Sequence, residues 1–339
     1  MGLEVSSTRT VLVVGAGISG LACAGALQAA DIPTRIVERG RVPGGRMASR
    51  RLEGRPVDLG AAFFTAAPGT PFESVVQGWL DRGLARPWAD TFAVAEPGVA
   101  LMAKPGPVRY AAPNGLRALA TELGEGMAIE FEHGVVSVSP GSPRGVSTGA
   151  GAISGATADG EEFAAVVLAM PDPQARRLLG ADHTAGAALD DGSGWAPTIA
   201  VALGWDQASW SREVHGVFVN GSPALTFLAD DGDRRGDGAP VLVAHSTAEL
   251  AREYLDDPDA SIAPITEAVR TLLHLDEAPS WSYAHRWTFA RTLAGHPEPF
   301  LLEGAIGVCG DGWGGTSSVG AAWTSGDALG RELAERLSA

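Results

Sequence analysis

Residues 10–46 read TVLVVGAGISGLACAGALQAADIPTRIVERGRVPGGR, and this stretch decides the fold. Val11 to Val14 is a short run of Val and Leu, the pattern of a strand buried on both faces of a parallel sheet. Gly15-Ala16-Gly17-Ile18-Ser19-Gly20 follows at once, then a helix of small residues from Leu21 to Ala30, then a second strand from Thr34 to Glu38. This strand–helix–strand context gives a GxGxxG its meaning as a dinucleotide-binding turn. Gly15 permits the tight turn, Gly17 lets backbone approach a pyrophosphate, and Gly20 lets the helix lie close on the sheet. The helix N-terminus offers free N–H groups and its positive dipole end to the phosphates, and Ile18 and Ser19 in the turn join the expected cofactor contacts. Glu38 stands 18 residues after Gly20. A carboxylate there accepts hydrogen bonds from a ribose diol and repels a 2′-phosphate; Arg39 beside it joins the expected cofactor contacts. The alternative is a Gly-rich strand–turn–helix that holds no ligand.

The chain has 339 residues, enough for about two domains. Its net charge of −15 argues against nucleic-acid binding, which requires a basic face. No apolar run approaches the roughly 20 residues of a membrane helix. The apolar start is no signal peptide either, because it runs straight into the glycine turn. These features lead to the expectation of a cytoplasmic enzyme. Cys23 and Cys309 fall in the first helix and at the end of an apolar strand, as buried small residues. Seven scattered His residues give no ligand-spaced pair, so no metal is expected.

Further along, residues 68–86 have helical spacing, and 92–101 and 108–110 read as strands. A helix is expected over 116–123 and a strand with a break at Gly134 over 128–138. Residues 140–160 are rich in Gly, Ser and Pro and read as a hairpin or loop. Strands are expected at 162–169, 195–205, 217–220, 224–228 and 241–245, with helices at 173–179, 247–254 and 262–273. The charged stretch 230–238 reads as a solvated turn. Residues 281–291, WSYAHRWTFAR, and 305–309 form late strands, and 317–337 a closing helix.

Seven segments carry a resemblance to a known family: GAGISG, PGGRM (43–47), DLGAAFF (58–64), VVLAMPDPQARRLL (166–179), AHSTAELAREYLDD (244–257), HRWTFA (285–290) and CGDGWGG (309–315). Together they resemble the renalase-like branch of the FAD-dependent amine oxidase superfamily, and the likeness spans Val11 to Gly326. The resemblance implies a p-hydroxybenzoate-hydroxylase-like α/β fold with a Rossmann-type FAD-binding lobe and an antiparallel-sheet substrate lobe. The FAD-binding domain is placed at 8–66, 112–180 and 296–339, and the substrate domain at 67–111 and 181–295. In such proteins Gly45, Arg46 and Met47 pack on the FAD pyrophosphate, and an Arg there can fork two phosphate oxygens. Gly60 and Ala61 run beneath the isoalloxazine, and the backbone near Val135 meets the adenine. Gly310 and Asp311 reach ribityl or pyrophosphate-side groups. The helix start at Val319, Gly320 and Ala321 turns its dipole to the flavin pyrimidine, where a positive end stabilises anionic reduced flavin.

The same resemblance implies non-covalent FAD, a small-molecule substrate and hydride transfer to flavin N5. For this branch it implies oxidation of misreduced dihydronicotinamide dinucleotides with O2 as electron acceptor. The alternative is a flavin amine oxidase or a desaturase acting on a secondary metabolite. Amine oxidation needs a neutral nitrogen, and such enzymes often hold a Lys–water pair near N5. Lys104 is the only lysine here, and it sits in a Pro/Gly-flanked segment. A dihydropyridine aromatises as it loses hydride and needs no base, so the sequence leans toward that substrate. His245, His285, Arg286, Trp287 and Trp313 are the candidate pocket residues, with no general base assigned among them. His285 also fits a strand-end His bonded to backbone, Arg286 an ion pair, and Trp287 plain core.

Overall fold

The structure is a computed structural model that describes residues 9–141, 155–180, 183–211 and 213–339. The tail at 1–8 and most of the Gly/Ser-rich loop expected at 140–160 lie outside the described residues. Two compact units emerge: one comprises Met1–Gly45, Ala120–Trp195 and Arg291–Ala339, the other Arg46–Leu119 and Ala196–Ala290. Compared with the expected domain limits, 46–66 and 112–119 pack with the second unit, and 183–195 and 291–295 with the first.

In the first unit, Val11–Val14 lies inside a six-stranded sheet. Its parallel neighbours are Thr34–Glu38 on one side and Ala165–Ala169 on the other, in registers Val14↔Val37 and Val14↔Leu168. All four residues of the first strand are buried, as its unbroken apolar run requires. Ile306–Cys309 and Leu301–Glu303 complete one edge, and Ile129–Phe131 the other. The chain moves to one side after the first strand and later returns to the other. The carboxyl end of Val11–Val14 therefore stands at the switch point where α/β sheets bind ligands.

The helix Ile18–Ala29 packs on this sheet, and the closing helix Val319–Ser338 packs on that helix. Missing side chains let the two helices meet. A Cβ at Gly326 would stand 1.9 Å from the Ser19 carbonyl oxygen, and one at Gly330 2.5 Å from that of Cys23. Gly326→Ala must push the helices apart. Overpacking of this kind costs about 1–3 kcal/mol, so a thermal melt should show a clearly lowered midpoint; an unchanged midpoint would contradict this packing.

The second unit is built on a seven-stranded sheet in the order Trp281–Thr292, Trp195–Gly204, Val241–Ser246, Leu225–Asp230, Gly216–Val219, Arg86–Ala95, Met102–Ala111. It is antiparallel except where Gly216–Val219 runs parallel to Arg86–Ala95. Alternation divides its two faces. Ile199, Val201, Leu203, Leu228, Leu242 and Ala244 form a core beneath the helices Ala248–Glu253 and Ile262–Leu273. The other face bears Ala200, Ala202, Val243 and Phe227.

Several elements differ from their sequence limits. The helix expected over 68–86 is Pro71–Asp81, with Thr70 capping the Glu73 amide. The segment 128–138 is two short strands, Ile129–Phe131 and Val138–Pro140, with irregular chain between them. The charged stretch 230–238 is not a solvated turn: Asp231–Arg235 is a helix, and Asp231 and Arg234 are fully buried.

Candidate active site

The first unit holds the glycine turn in the form its spacing predicts. Gly15 has φ +112°, and a Cβ there would lie 2.7 Å from the Ala169 carbonyl oxygen. A Cβ at Gly20 would lie 2.0 Å from the Gly15 carbonyl oxygen. Gly17 is different, because a Cβ built there meets nothing within 4 Å. It is the N-cap of Ile18–Ala29 and supplies no side-chain cap, and no acidic residue occupies the first turn. The amides of Ile18 and Ser19 thus begin a helix whose positive end faces open space.

Two neighbours complete this cradle. Gly44 N–H donates to the Ala16 carbonyl (2.9 Å), and Gly45 comes so close that its Cβ would sit 3.5 Å from Gly17 Cα. Glu38 accepts from the Ala16 amide through Oε2 (2.9 Å) and from the Gly40 amide through Oε1 (2.7 Å). A carboxylate offers about four acceptor positions, so two remain for a ribose diol. Arg39 is exposed at the strand end. Val135 falls in the irregular chain between the two short strands and packs its side chain on the core.

At the carboxyl end of Ile306–Cys309, Gly310 N–H donates to Ser325 Oγ (3.1 Å) and Ser317 Oγ donates to the buried Asp311. Ser318 caps the closing helix by accepting from the Ala321 amide (3.0 Å). Of the three amides expected to face a flavin, Ala321 is therefore already engaged, which leaves Val319 and Gly320.

Trp313 does not line an open wall. It is 3 % exposed, part of the first unit's core, and stacked on His296 with ring centroids 3.9 Å apart and planes 14° apart. His296 Nε2 lies 2.6 Å from Asp172 Oδ2. The sequence reading missed this Asp–His–Trp stack; Asp172 just past a buried strand was its one visible signal. Both cysteines are buried and free, and burial pushes the Cys309 thiol up to about 12.

In the second unit, Met47 is buried behind the short 3-10 turn Gly45–Met47, and Arg46 Nη1 donates to the Ala290 carbonyl (3.3 Å). Gly60 has a packing reason for being glycine: its Cβ would fall 1.8 Å from the Arg46 carbonyl oxygen, which also accepts the Ala61 amide at 2.9 Å. The small residues at 60 and 61 thus bring two backbone segments together, whatever else lies beside them.

His245 stands on the Ala-lined face of the sheet, paired across to Ala200 and Phe227. Burial, and then the Arg234 guanidinium, lower its pKa from 6.5 to about 4, so it is neutral at pH 7. The unfolded chain takes up this proton below about pH 6.5 while the folded chain refuses it down to about 4. Stability is then full above that window and falls as pH drops through it, by up to about 3 kcal/mol. His245→Gln should flatten this part of a stability–pH curve; an unchanged slope would contradict the buried neutral imidazole.

Trp287 Nε1 donates to the Leu59 carbonyl (2.7 Å), and His285 meets the Trp287 ring edge-on at 4.5 Å. Burial, then Arg50, Arg117 and Arg286, lower the His285 pKa. Arg286 does not join this group. It is the even-numbered residue between them, on the opposite face of the strand, and donates to the Leu255 carbonyl.

Below the sheet lies a buried ion cluster. Asp231 is met by Arg234, by Arg235 (3.1 Å) and by Arg55 (2.6 Å), and Arg235 also reaches Asp58 (3.0 Å). Arg234 Nη1 donates to the Ala62 carbonyl (2.9 Å). Burial alone would raise the Asp231 carboxyl, but the three guanidiniums outweigh it and hold it at about 2. The cluster anchors 58–62 to the sheet. Its i, i+3 and i, i+4 spacing was visible in DDGDRR; its distant partners Arg55 and Asp58 were not.

The fold and the glycine cradle define a Rossmann-type dinucleotide-binding oxidoreductase. Residues 13–79 match the NAD(P)-binding Rossmann-like domain, and residues 89–326 match the flavin containing amine oxidoreductase family. The chain belongs to that flavin containing amine oxidoreductase family, and its cofactor is FAD. Mouse renalase (Mus musculus) is 22 % identical over 342 aligned positions, covering 91 % of this chain and 95 % of that one. Hydroxyneurosporene desaturase of Rubrivivax gelatinosus is 43 % identical over 62 residues, 18 % of this chain and 12 % of its own. Among solved structures, cyclohexylamine oxidase of Brevibacterium oxydans IH-35A superposes with a TM-score of 0.73 at 13 % identity, covering 98 % of this chain and 100 % of that one. Putrescine oxidase bound to putrescine gives 0.68 at 13 % identity, covering 97 % and 98 %. At such identities the structural likeness establishes the fold. These findings agree with the family read from the seven sequence segments.

Proposed function

We propose that this protein is an FAD-dependent oxidase of misreduced dihydronicotinamide dinucleotides, with O2 as electron acceptor. The observation that carries the substrate choice is the position of Lys104. The chain's sole lysine lies exposed on the edge strand Met102–Ala111, opposite Phe92. That edge is five strands away from Ala200 and Ala202, so no lysine ammonium stands beside them to manage the proton of an amine substrate.

FAD, when bound, supplies a hydride acceptor at N5 and passes the electron pair on to O2. The net change is dihydropyridine, O2 and a proton giving pyridinium and hydrogen peroxide. The pyridinium forms by loss of hydride alone, so no residue has to remove a proton. The protein's part is binding and shielding. Gly17, Ile18, Ser19 and Gly45 offer the pyrophosphate backbone contact, Glu38 takes the ribose diol, and Arg46 adds a guanidinium. Val135 is proposed to meet the adenine, with Asp311, Val319 and Gly320 toward the flavin end. Ala200 and Ala202 are fully buried on that face in a cluster with Val57, Leu59 and Val243, and neutral His245 adds no charge that would oppose a developing pyridinium. Both thiols are buried and protonated, which supports non-covalent FAD.

Anaerobic mixing with borohydride-generated NADH isomers tests this reading. The 2- or 6-dihydro isomer should bleach the flavin, and a panel of primary and secondary amines should not. Bleaching by an amine, with the isomers inert, would establish the alternative amine-oxidising activity. Lys104→Met should leave the rate of bleaching within about twofold of the parent, as expected for an exposed side chain outside the site; a large loss would return Lys104 to the chemistry.

A further inference from the structure

One corner of the second unit concentrates positive charge in an otherwise acidic chain. The strand Trp281–Thr292 alternates, so Tyr283, His285 and Trp287 share a face. The Tyr283 hydroxyl accepts a hydrogen bond from Arg50 Nη1, and the Arg50 guanidinium carbon lies 4.9 Å from the Tyr283 ring centre. Arg50 is exposed, and among the described residues no carboxylate stands within ion-pair distance of it. Next to it, Ser49 Oγ accepts the backbone amide of Arg117 at 3.2 Å, and the Arg50 charge acts on the Arg117 guanidinium by repulsion.

Arg117 faces Asp58, whose Oδ1 accepts from the Ser49 hydroxyl and the Leu116 amide and whose Oδ2 stands 3.0 Å from Arg235. Arg286 adds a third positive field from the opposite face. The lowered pKa of His285, caused by burial and then by these three cations, reports the same excess. With 40 acidic and 25 basic residues in the chain, an exposed guanidinium without a carboxylate partner invites an anion.

We propose that Arg50, oriented by Tyr283 and reinforced by Arg117, is an anion subsite that takes a phosphate group of the substrate. The subsite rests on the substrate reading above and deepens it: phosphate-bearing dihydronicotinamides are held by this corner, and the uncharged riboside is not. Arg50 is thus a specificity-determining residue, and its planar fork suits a phosphate better than an ammonium would. Arg51, next along the hairpin strand and also exposed, points away by alternation and serves as the charge-matched control.

The test uses the FAD-loaded enzyme, so that the adenosine site of the glycine cradle is filled. ADP-ribose binding is measured by calorimetry for the parent, Arg50→Gln, Arg51→Gln and Tyr283→Phe, with adenosine as the uncharged probe. Arg50→Gln should weaken ADP-ribose binding by about tenfold or more, the scale of one lost charge-assisted hydrogen bond. Tyr283→Phe should weaken it less, Arg51→Gln by under about twofold, and adenosine should not respond to Arg50. In turnover, Arg50→Gln should raise KM for the dihydronicotinamide dinucleotide and leave kcat and the riboside's KM unchanged. Equal ADP-ribose affinity in parent and Arg50→Gln, or an equal loss in Arg51→Gln, overturns the subsite. If no dihydronicotinamide bleaches the flavin while ADP-ribose binding still depends on Arg50, the substrate reading fails and the subsite stands.

Discussion

Gly17→Val should give a folded protein without flavin. The backbone at Gly17, φ −76° and ψ 173°, suits any residue, and a Cβ there meets no atom within 4 Å. The apo chain therefore has no reason to lose its fold. The valine methyls would instead occupy the space through which a pyrophosphate reaches the first helical amides. Hydrogen bonds to a charged group contribute about 1.5–3 kcal/mol each. Losing two of them lowers FAD affinity by roughly a hundredfold to ten-thousandfold. Gly20→Ala supplies the contrast. It adds one methyl three residues further on, but 2.0 Å from the Gly15 carbonyl oxygen. That variant should lose stability first, and flavin as a consequence. Flavin per chain in the purified protein, beside the apo melting midpoint, separates the two. Parent-like flavin content in Gly17→Val would contradict the cradle.

The second large effect is expected at Asp231. Asp231→Asn keeps the shape and removes the charge that Arg234, Arg235 and Arg55 share. Arg234 is fully buried and Arg235 nearly so. Breaking a buried pair by removing one partner costs about 3–5 kcal/mol, because the remaining charge is left uncompensated. The urea midpoint should fall accordingly with an unchanged slope. The acid limb gives an independent check. The folded carboxyl is held at about 2, below its ordinary 3.8, so its contribution is present above that value and is lost as pH falls toward 2. This amounts to about 2 kcal/mol in the parent and should be absent in Asp231→Asn. A midpoint unchanged by the substitution would show that the cluster contributes little.

The difference between these two sites also explains what could be read from the sequence. Gly15, Gly17 and Gly20 act within one strand–turn–helix, so their spacing carries their expected roles; the structure has the tight turn at Gly15 and the close packing at Gly20, and leaves the space beside Gly17 open. The apolar strands Val11–Val14 and Trp195–Gly204 are local in the same sense. Asp231 and Arg235 looked solvated because their distant partners, Arg55 and Asp58, are some 175 positions away in the chain. Gly60 was read as clearance for a ring, yet the nearest atom to its absent Cβ is the Arg46 carbonyl oxygen, a contact between segments that no spacing rule reveals. Arg286 was grouped with His285 and Trp287 because they adjoin in sequence. The period of two along a strand turns it to the other face. Trp313 was placed by its neighbour Asp311, but its ring is taken up by His296, which the sequence had not singled out.

The substrate is tested most directly by the pH dependence of flavin reduction under anaerobic conditions. A dihydropyridine carries no ammonium proton, so its rate of flavin reduction should be flat from about pH 7 to about pH 9. An amine must first become neutral, and its rate would climb about tenfold per pH unit below its own pKa. A flat profile with a 2- or 6-dihydronicotinamide dinucleotide is the predicted result; reduction by an amine alone, rising with pH, would contradict it.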